Sequence, residues 1–269
     1  MHHLFTMITA AALLCACSIT TLAPSAMAPA AAGRAALAPS GTLRAAINLG
    51  NPILATRDAV TGEPRGVSVD LALELGSRLG VPVELVLYSA AGKVVEGISA
   101  KAWDIGFFAI DPVRAGDIDF TPAYVVIEGA YLVSQDSAIS RNEEVDRDGV
   151  RVVVGRGSAY DLYLTRELKK ARILRAETSP AVTDMMVASR IEVAAGVKQQ
   201  LQADARRLPG LRLLDGRFMV IHQAMAVPKG RDAAALAYAS QFVQEMKASG
   251  FVARALQRHA IDGAAEAPP

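Results

Sequence analysis

Short apolar runs alternate with segments of helical spacing twice along this chain, and that alternation limits the folds open to it more than any other feature. Residues 43–49 (LRAAINL) form the first run, and residues 67–79 (VSVDLALELGSRL) place apolar side chains at helical spacing until Gly80 stops them. The next unit repeats the pattern. Residues 82–87 (PVELVL) predict a strand, 92–100 (GKVVEGISA) a helix, and 103–110 (WDIGFFAI) a strand apolar almost throughout. Runs this apolar suit a sheet covered on both faces by helices. After the apolar stretch 124–133, the polar segment 134–149 marks a boundary. A second series then starts with RVVVG at Arg151, followed by a helix over 159–170, a strand over 173–176, a helix over 180–189 and a strand over 192–196. Residues 218–227 (FMVIHQAMAV) read as a strand long enough to cross back, and 232–257 hold an amphipathic helix interrupted at Gly250. The expectation is an α/β protein of two lobes.

The first 28 residues have the composition of an export signal: an apolar stretch from Leu4 to Leu14 followed by small residues. That stretch is shorter than the roughly 18 to 20 apolar residues of a spanning helix. Two processing routes are open, cleavage before Cys17 to leave a lipidated cysteine, or cleavage after Ala28 in SAMA. Residues 29–40 read as a tether and 261–269 as a disordered tail.

Both cysteines, Cys15 and Cys17, fall in that leader, so the rest of the chain has no thiol chemistry. His222 and His259 are the only histidines beyond the leader and too far apart in sequence to suggest a metal site. The formal net charge of +1 comes with no concentrated basic face, which argues against nucleic acid as a partner.

The order of the pieces resembles the bacterial extracellular solute-binding proteins, family 3, the polar amino-acid uptake proteins with the type II periplasmic binding fold. The carriers are GEPRGVSVDLALELGSRLGVPVELV, then AWDIGFFAIDPVRAGDIDFTPAY, then VRVVVGRGSAYDLYL, and last AMAVPKG before the terminal helix. The resemblance implies lobe one from residues 41–133 plus 228–260 and lobe two from 134–227. Each lobe is then a mixed sheet flanked by helices, and two crossing strands form a hinge near Ser134 and near Ala224. It also implies a periplasmic monomer, soluble or lipid-anchored at Cys17, with no cofactor. Such a protein closes on a small carboxylate-bearing ligand and hands it to an ABC permease in the inner membrane.

Arg114 follows the end of a buried strand in AIDPVR, where an arginine can offer a planar fork to a carboxylate. From position alone the favoured reading is a solvated surface arginine pairing with Asp117 or Asp119. The resemblance favours the first reading, because the family's carboxylate-binding arginine occupies the matching place. In GRGSAYD a helix starts at Ser158, and the free backbone N–H groups of Ser158, Ala159 and Tyr160 suit the same anion from the opposite lobe.

Amino-acid binders of this family hold the ligand's α-ammonium with hydroxyls before the arginine and with an acid in lobe two. The matching positions here carry Phe107, Ala109 and Val197, none of which accepts a hydrogen bond through its side chain. The covering aromatic residue is replaced by Asn51, with Asn48 beside it. The expected ligand therefore bears a carboxylate and lacks a conventional α-amino group, or is held in a different pose. Lys93, Tyr160 and Glu128 are candidates for further polar contacts or plain surface residues.

Two other classes compete with transport. The same fold can host a dehydratase, with Arg114 and Glu128 polarising a carboxylated substrate. The chain has no G-x-S-x-G, H-E-x-x-H, Walker loop or Cys–His pair, and GRGSAY lacks the remaining spacing of a dinucleotide fingerprint, so no catalytic residue is expected. A periplasmic sensor partner is the third class and requires a separate membrane protein.

Overall fold

The computed structural model describes residues 30–268. The expected leader, including Cys17, lies outside them. The chain opens with helix α1 (Ala30–Leu37) and strand β1 (Leu43–Asn48), then the small hairpin of β2 (Thr56–Arg57) and β3 (Pro64–Arg65). Helix α2 (Val67–Leu79), β4 (Val83–Tyr88), α3 (Ala91–Glu96), β5 (Ile105–Ala109) and the long β6 (Ile118–Ser134) follow. The second series is β7 (Arg151–Gly155), α4 (Ala159–Glu167), β8 (Arg172–Ala176), α5 (Val182–Ala188), β9 (Val193–Val197), α6 (Lys198–Arg207) and β10 (Leu211–Leu213). The return is made by β11 (Met219–Pro228), α7 (Ala233–Ala248), α8 (Phe251–Arg258) and β12 (Ala265–Glu266).

One sheet runs through both lobes in the order β4-β1-β5-β11-β6-β9-β7-β8, with β10 and β12 also paired to β6. In lobe one β1 lies parallel between β4 and β5, and in lobe two β7 lies parallel between β8 and β9. The antiparallel strands β6 and β11 join these halves. β5 and β9 are buried at every position, as strands covered on both faces must be. Helix α2 has the bounds its spacing predicts, and Gly80 ends it in the left-handed conformation, φ 64°, with its N–H closing on Gly76 and Ser77. Gly250, at φ 71°, separates α7 from α8 in the same way.

β6 pairs with β11 from Ile118 to Gly129 and with β9 from Gly129 to Val133. The change of partners falls at Gly129, ahead of Ser134, where the first hinge segment was expected. The polar residues after Ser134 mark the end of a strand and not the junction of the lobes. On β11 the ladder to β6 shifts register at Gln223/Ala224.

Among the described residues three apolar clusters fill the molecule. One lies against the lobe-one sheet around Trp103, Phe108 and Val94, and another against the lobe-two sheet around Val153, Met186 and Leu201. The third is continuous from Leu71 and Phe242 in lobe one to Val152 and Leu164 in lobe two.

Both expected loose ends are ordered over their described residues, 30–40 and 261–268. Residues 30–37, read as tether, form α1: alanines are strong helix formers, Leu37 is fully buried, and Arg34 Nε donates to the Leu79 carbonyl at 3.0 Å. Gly33 lets this helix approach α7 closely, since a Cβ there would meet the Tyr238 ring at 2.6 Å. At the other end β12 pairs with Val125 and Val126 of β6, the Ala267 N–H donates to the Tyr124 carbonyl at 3.1 Å, and Ala267 is buried. An unpaired edge on β6 attracts a strand, which composition alone does not reveal.

Candidate functional site

The cleft between the lobes is lined from both sides and leaves a partly open cavity of about 50 Å³, room for a few waters. Arg114, Ser158, Ala159, Tyr160, Phe107, Ala109, Asn48, Asn51 and Val197 all line it. Lys93 and Glu128 do not. Lys93 is exposed on α3, and Glu128 pairs with Lys198 at 2.9 Å and Arg217 at 2.5 Å, which hold its carboxyl below the usual range. An Arg114–Glu128 catalytic pair is therefore not assembled.

Arg114 owes its place to a short turn after β5. Asp111 Oδ1 accepts from the Val113 N–H at 2.9 Å and the Asp111 carbonyl from Ala115 at 3.0 Å, which swings the next side chain back under the strand end. The result is an arginine only 3 % exposed, not the surface partner of Asp117 or Asp119. Nη1 donates to the Ala109 carbonyl at 3.0 Å and Nη2 crosses the cleft to the Gly157 carbonyl at 2.9 Å. Nε is buried without a partner. Burial pushes the guanidinium down to about 10, with Asp111 opposing, so it stays charged at neutral pH. Two of its five N–H donors are taken by these carbonyls.

From lobe two, Ser158 caps α4 by accepting from the Asp161 N–H at 3.1 Å. The amides of Ala159 and Tyr160, in the first turn, have no partner within the helix. The Asp161 carboxylate lies beside this turn, accepting from the Gly157 N–H at 2.9 Å, and Arg175 balances its charge at 3.0 Å. The Tyr160 hydroxyl is pushed up to about 12 by burial, against hydrogen bonds to Ser179 and Ser158 that favour ionisation, and is a neutral donor and acceptor at pH 7.

The remaining wall is apolar or neutral. Phe107 packs edge-on against Tyr124 at 5.9 Å, and the Tyr124 hydroxyl meets Ser68 Oγ at 3.1 Å. Asn48 Oδ1 accepts from the Gly50 N–H at 2.9 Å, whereas Asn51 Oδ1 is buried with no partner. The sequence reading missed Ser68, Phe108, Ser179, Gln200 and Gln223, which also line the cleft. Ser68 and Phe108 carry a local signal, at a helix start and beside Phe107. Gln223 has none, because its place depends on β11 lying against β5.

Among the described residues no group of three metal-ligating side chains occurs and no helix is long and apolar enough to cross a membrane. No curated protein matches the sequence. Solved structures share the fold at low identity. The solute receptor for L-cysteine of Neisseria gonorrhoeae superposes with a TM-score of 0.74 at 24% identity, over 85% of this chain and 94% of that one. The amino acid ABC transporter substrate-binding protein AbpA from Streptococcus pneumoniae, bound to L-arginine, gives 0.71 at 16% identity over 83% and 96%. The ancestral amino acid-binding protein AncCDT-1, a precursor of cyclohexadienyl dehydratase, gives 0.69 at 24% identity over 82% and 96%. The family model for bacterial extracellular solute-binding proteins, family 3, matches residues 43–261, and the chain belongs to that family.

Proposed function

We propose that this protein is exported to the periplasm, captures a small carboxylate-bearing solute, an amino acid or amino-acid-like organic acid, by closing its two lobes, and delivers it as a monomer to an ABC-type permease in the inner membrane. The observation that carries this reading is Arg114: a buried guanidinium with donors to spare, the only charged side chain among the described residues that line the cleft. An organic anion set between Arg114 and the first turn of α4 touches both lobes at once. Only the closed form makes both contacts, so the ligand stabilises closure by its difference in affinity for the two states. The description of the family as extracellular supports the location, and its transport-linked relatives support the coupling.

A thermal-shift screen of the purified protein against amino acids, keto acids, hydroxy acids and aromatic carboxylates tests the reading, because a ligand that binds only the folded form raises Tm by mass action. One or more carboxylates should raise Tm in the native protein and fail to do so in Arg114→Ala, which is expected to lose about 2 to 5 kcal/mol of binding free energy. Equal shifts in both proteins would refute the site.

A further inference from the structure

The charge inventory of the cleft is lopsided. Among the described residues Arg114 is the one ionised side chain on its wall, and no aspartate or glutamate lines it. The buried acids nearby, Asp111, Asp161 and Asp204, are already occupied, the last by Arg207 at 3.1 Å. Asp111 is held by Arg166 at 2.8 Å and Asp161 by Arg175 at 3.0 Å. An ammonium entering this cleft would find no counter-charge, and a charge buried without one is disfavoured strongly.

Neutral amides stand where such a counter-charge is missing. Gln223 on β11 is registered directly opposite Ala109 on β5, and directly opposed residues on paired strands project from the same face. Both line the cleft. Gln223 is more than nine-tenths buried. Beside it, Asn51 Oδ1 and Arg114 Nε are buried without partners. Two buried polar atoms without partners, one on a cation and one on an uncharged amide, therefore line the same small cavity as the Gln223 amide, and buried polar groups without partners mark the place where something polar belongs.

We propose that the site selects a monoanion: one carboxylate on Arg114 and, in place of an ammonium, an uncharged keto, hydroxyl or amide group read by Gln223 and Asn51, with Gln223 as the specificity-determining residue. The inference rests on the carboxylate-binding reading of Arg114 and narrows it. A monoanion brings the occupied cleft to neutrality, while a zwitterion leaves one positive charge over. A glutamine amide satisfies a hydroxyl or a keto oxygen, because it both donates and accepts. An amide oxygen can also accept from an ammonium, but it leaves that charge uncompensated.

The test is isothermal titration with matched pairs that differ only at the second polar group: pyruvate and L-lactate against L-alanine, 4-methyl-2-oxopentanoate against L-leucine, with L-arginine and L-lysine as cationic members. The native protein should bind the oxo or hydroxy member of at least one pair tenfold or more tightly than its amino acid, and Gln223→Glu should reverse that preference. Because a new buried carboxylate can unsettle the sheet, Gln223→Met is the second variant. It should lower affinity for the preferred acid at least tenfold with the melting temperature of the free protein little changed. An amino acid that binds as tightly as its oxo and hydroxy partners overturns this inference and leaves the role of Arg114 standing. An unchanged affinity in Gln223→Met removes Gln223 from it. Binding of no carboxylate at all, amino acids included, overturns the underlying reading as well.

Discussion

Asp111 and Arg166 join the two lobes at the edge of the cleft: the carboxylate of the first, on lobe one, accepts from both terminal nitrogens of the second, on α4 of lobe two, at 2.8 and 3.3 Å. Asp111 is 5 % exposed and Arg166 35 %. The pair therefore sits between the small value of an exposed bridge and the larger penalty of an uncompensated buried charge.

Arg166→Ala takes the partner from Asp111 in the closed form alone. The expected result is a loss of about 1 kcal/mol or somewhat more, roughly five- to tenfold in Kd. Titration of any stabilising ligand, with small-angle scattering to follow closure, checks this. An unaltered Kd would mean the pair forms without contributing to closure.

Arg114→Lys keeps the positive charge but not the fork. A lysine ammonium cannot hold the carbonyls of Ala109 and Gly157 and still face a carboxylate with parallel donors. Affinity should fall at least tenfold, about 1.4 kcal/mol, while binding remains detectable, which places this variant between the native protein and Arg114→Ala.

The lobes also meet backbone to backbone at Gly92 and Gly157, and the two glycines are not equivalent. A Cβ on Gly157 would lie 2.9 Å from Gly92 Cα, and its φ of 67° is the left-handed conformation. A Cβ on Gly92 lies 3.5 Å from Gly157 Cα, an ordinary contact. Gly157→Ala should therefore cost about 1–2 kcal/mol in backbone strain and hinder closure besides. Gly92→Ala should bind within about twofold of the native protein. Parallel melting and titration curves separate the two effects.

Asp104 gives a pH prediction. Burial raises its pKa, but hydrogen bonds from Arg44 at 3.0 and 2.9 Å and from Arg231 at 2.9 Å outweigh that and leave the carboxyl below its usual value. A depressed carboxyl contributes stability that is present above the unfolded pKa, near about 3.9, and is lost as the pH falls through the lower folded value. Asp104→Asn should therefore lower Tm at pH 7, and the gap from the native protein should shrink as both are taken below about pH 4. A gap independent of pH would mean the residue acts through packing alone.

The parallel strands and α2 are legible from local pattern alone, because each is written in consecutive residues and punctuated by glycine. The long β6 reads as apolar, but the position at which it changes partners does not show. That position depends on where β9 and β11 arrive, and each is far away in sequence. The same limit explains the site. Arg114 and Ser158 follow strand ends and announce themselves. Gln223 enters the cleft because a returning strand sets it against Ala109, a pairing that no short window of sequence contains. The short α6 escapes a local reading because its apolar face is little more than Leu201, and α1 because an alanine-rich segment without a long apolar stripe reads as linker.

The sharing of β6 has a consequence for how the molecule comes apart. Lobe two borrows its inner strand from the element that also closes the sheet of lobe one, and the largest apolar cluster passes from one lobe to the other without a break. Each lobe has a smaller cluster of its own, but the largest core of each is continuous with that of the other. On heating the two lobes should therefore melt as one cooperative unit, and a packing defect deep in either lobe should weaken both.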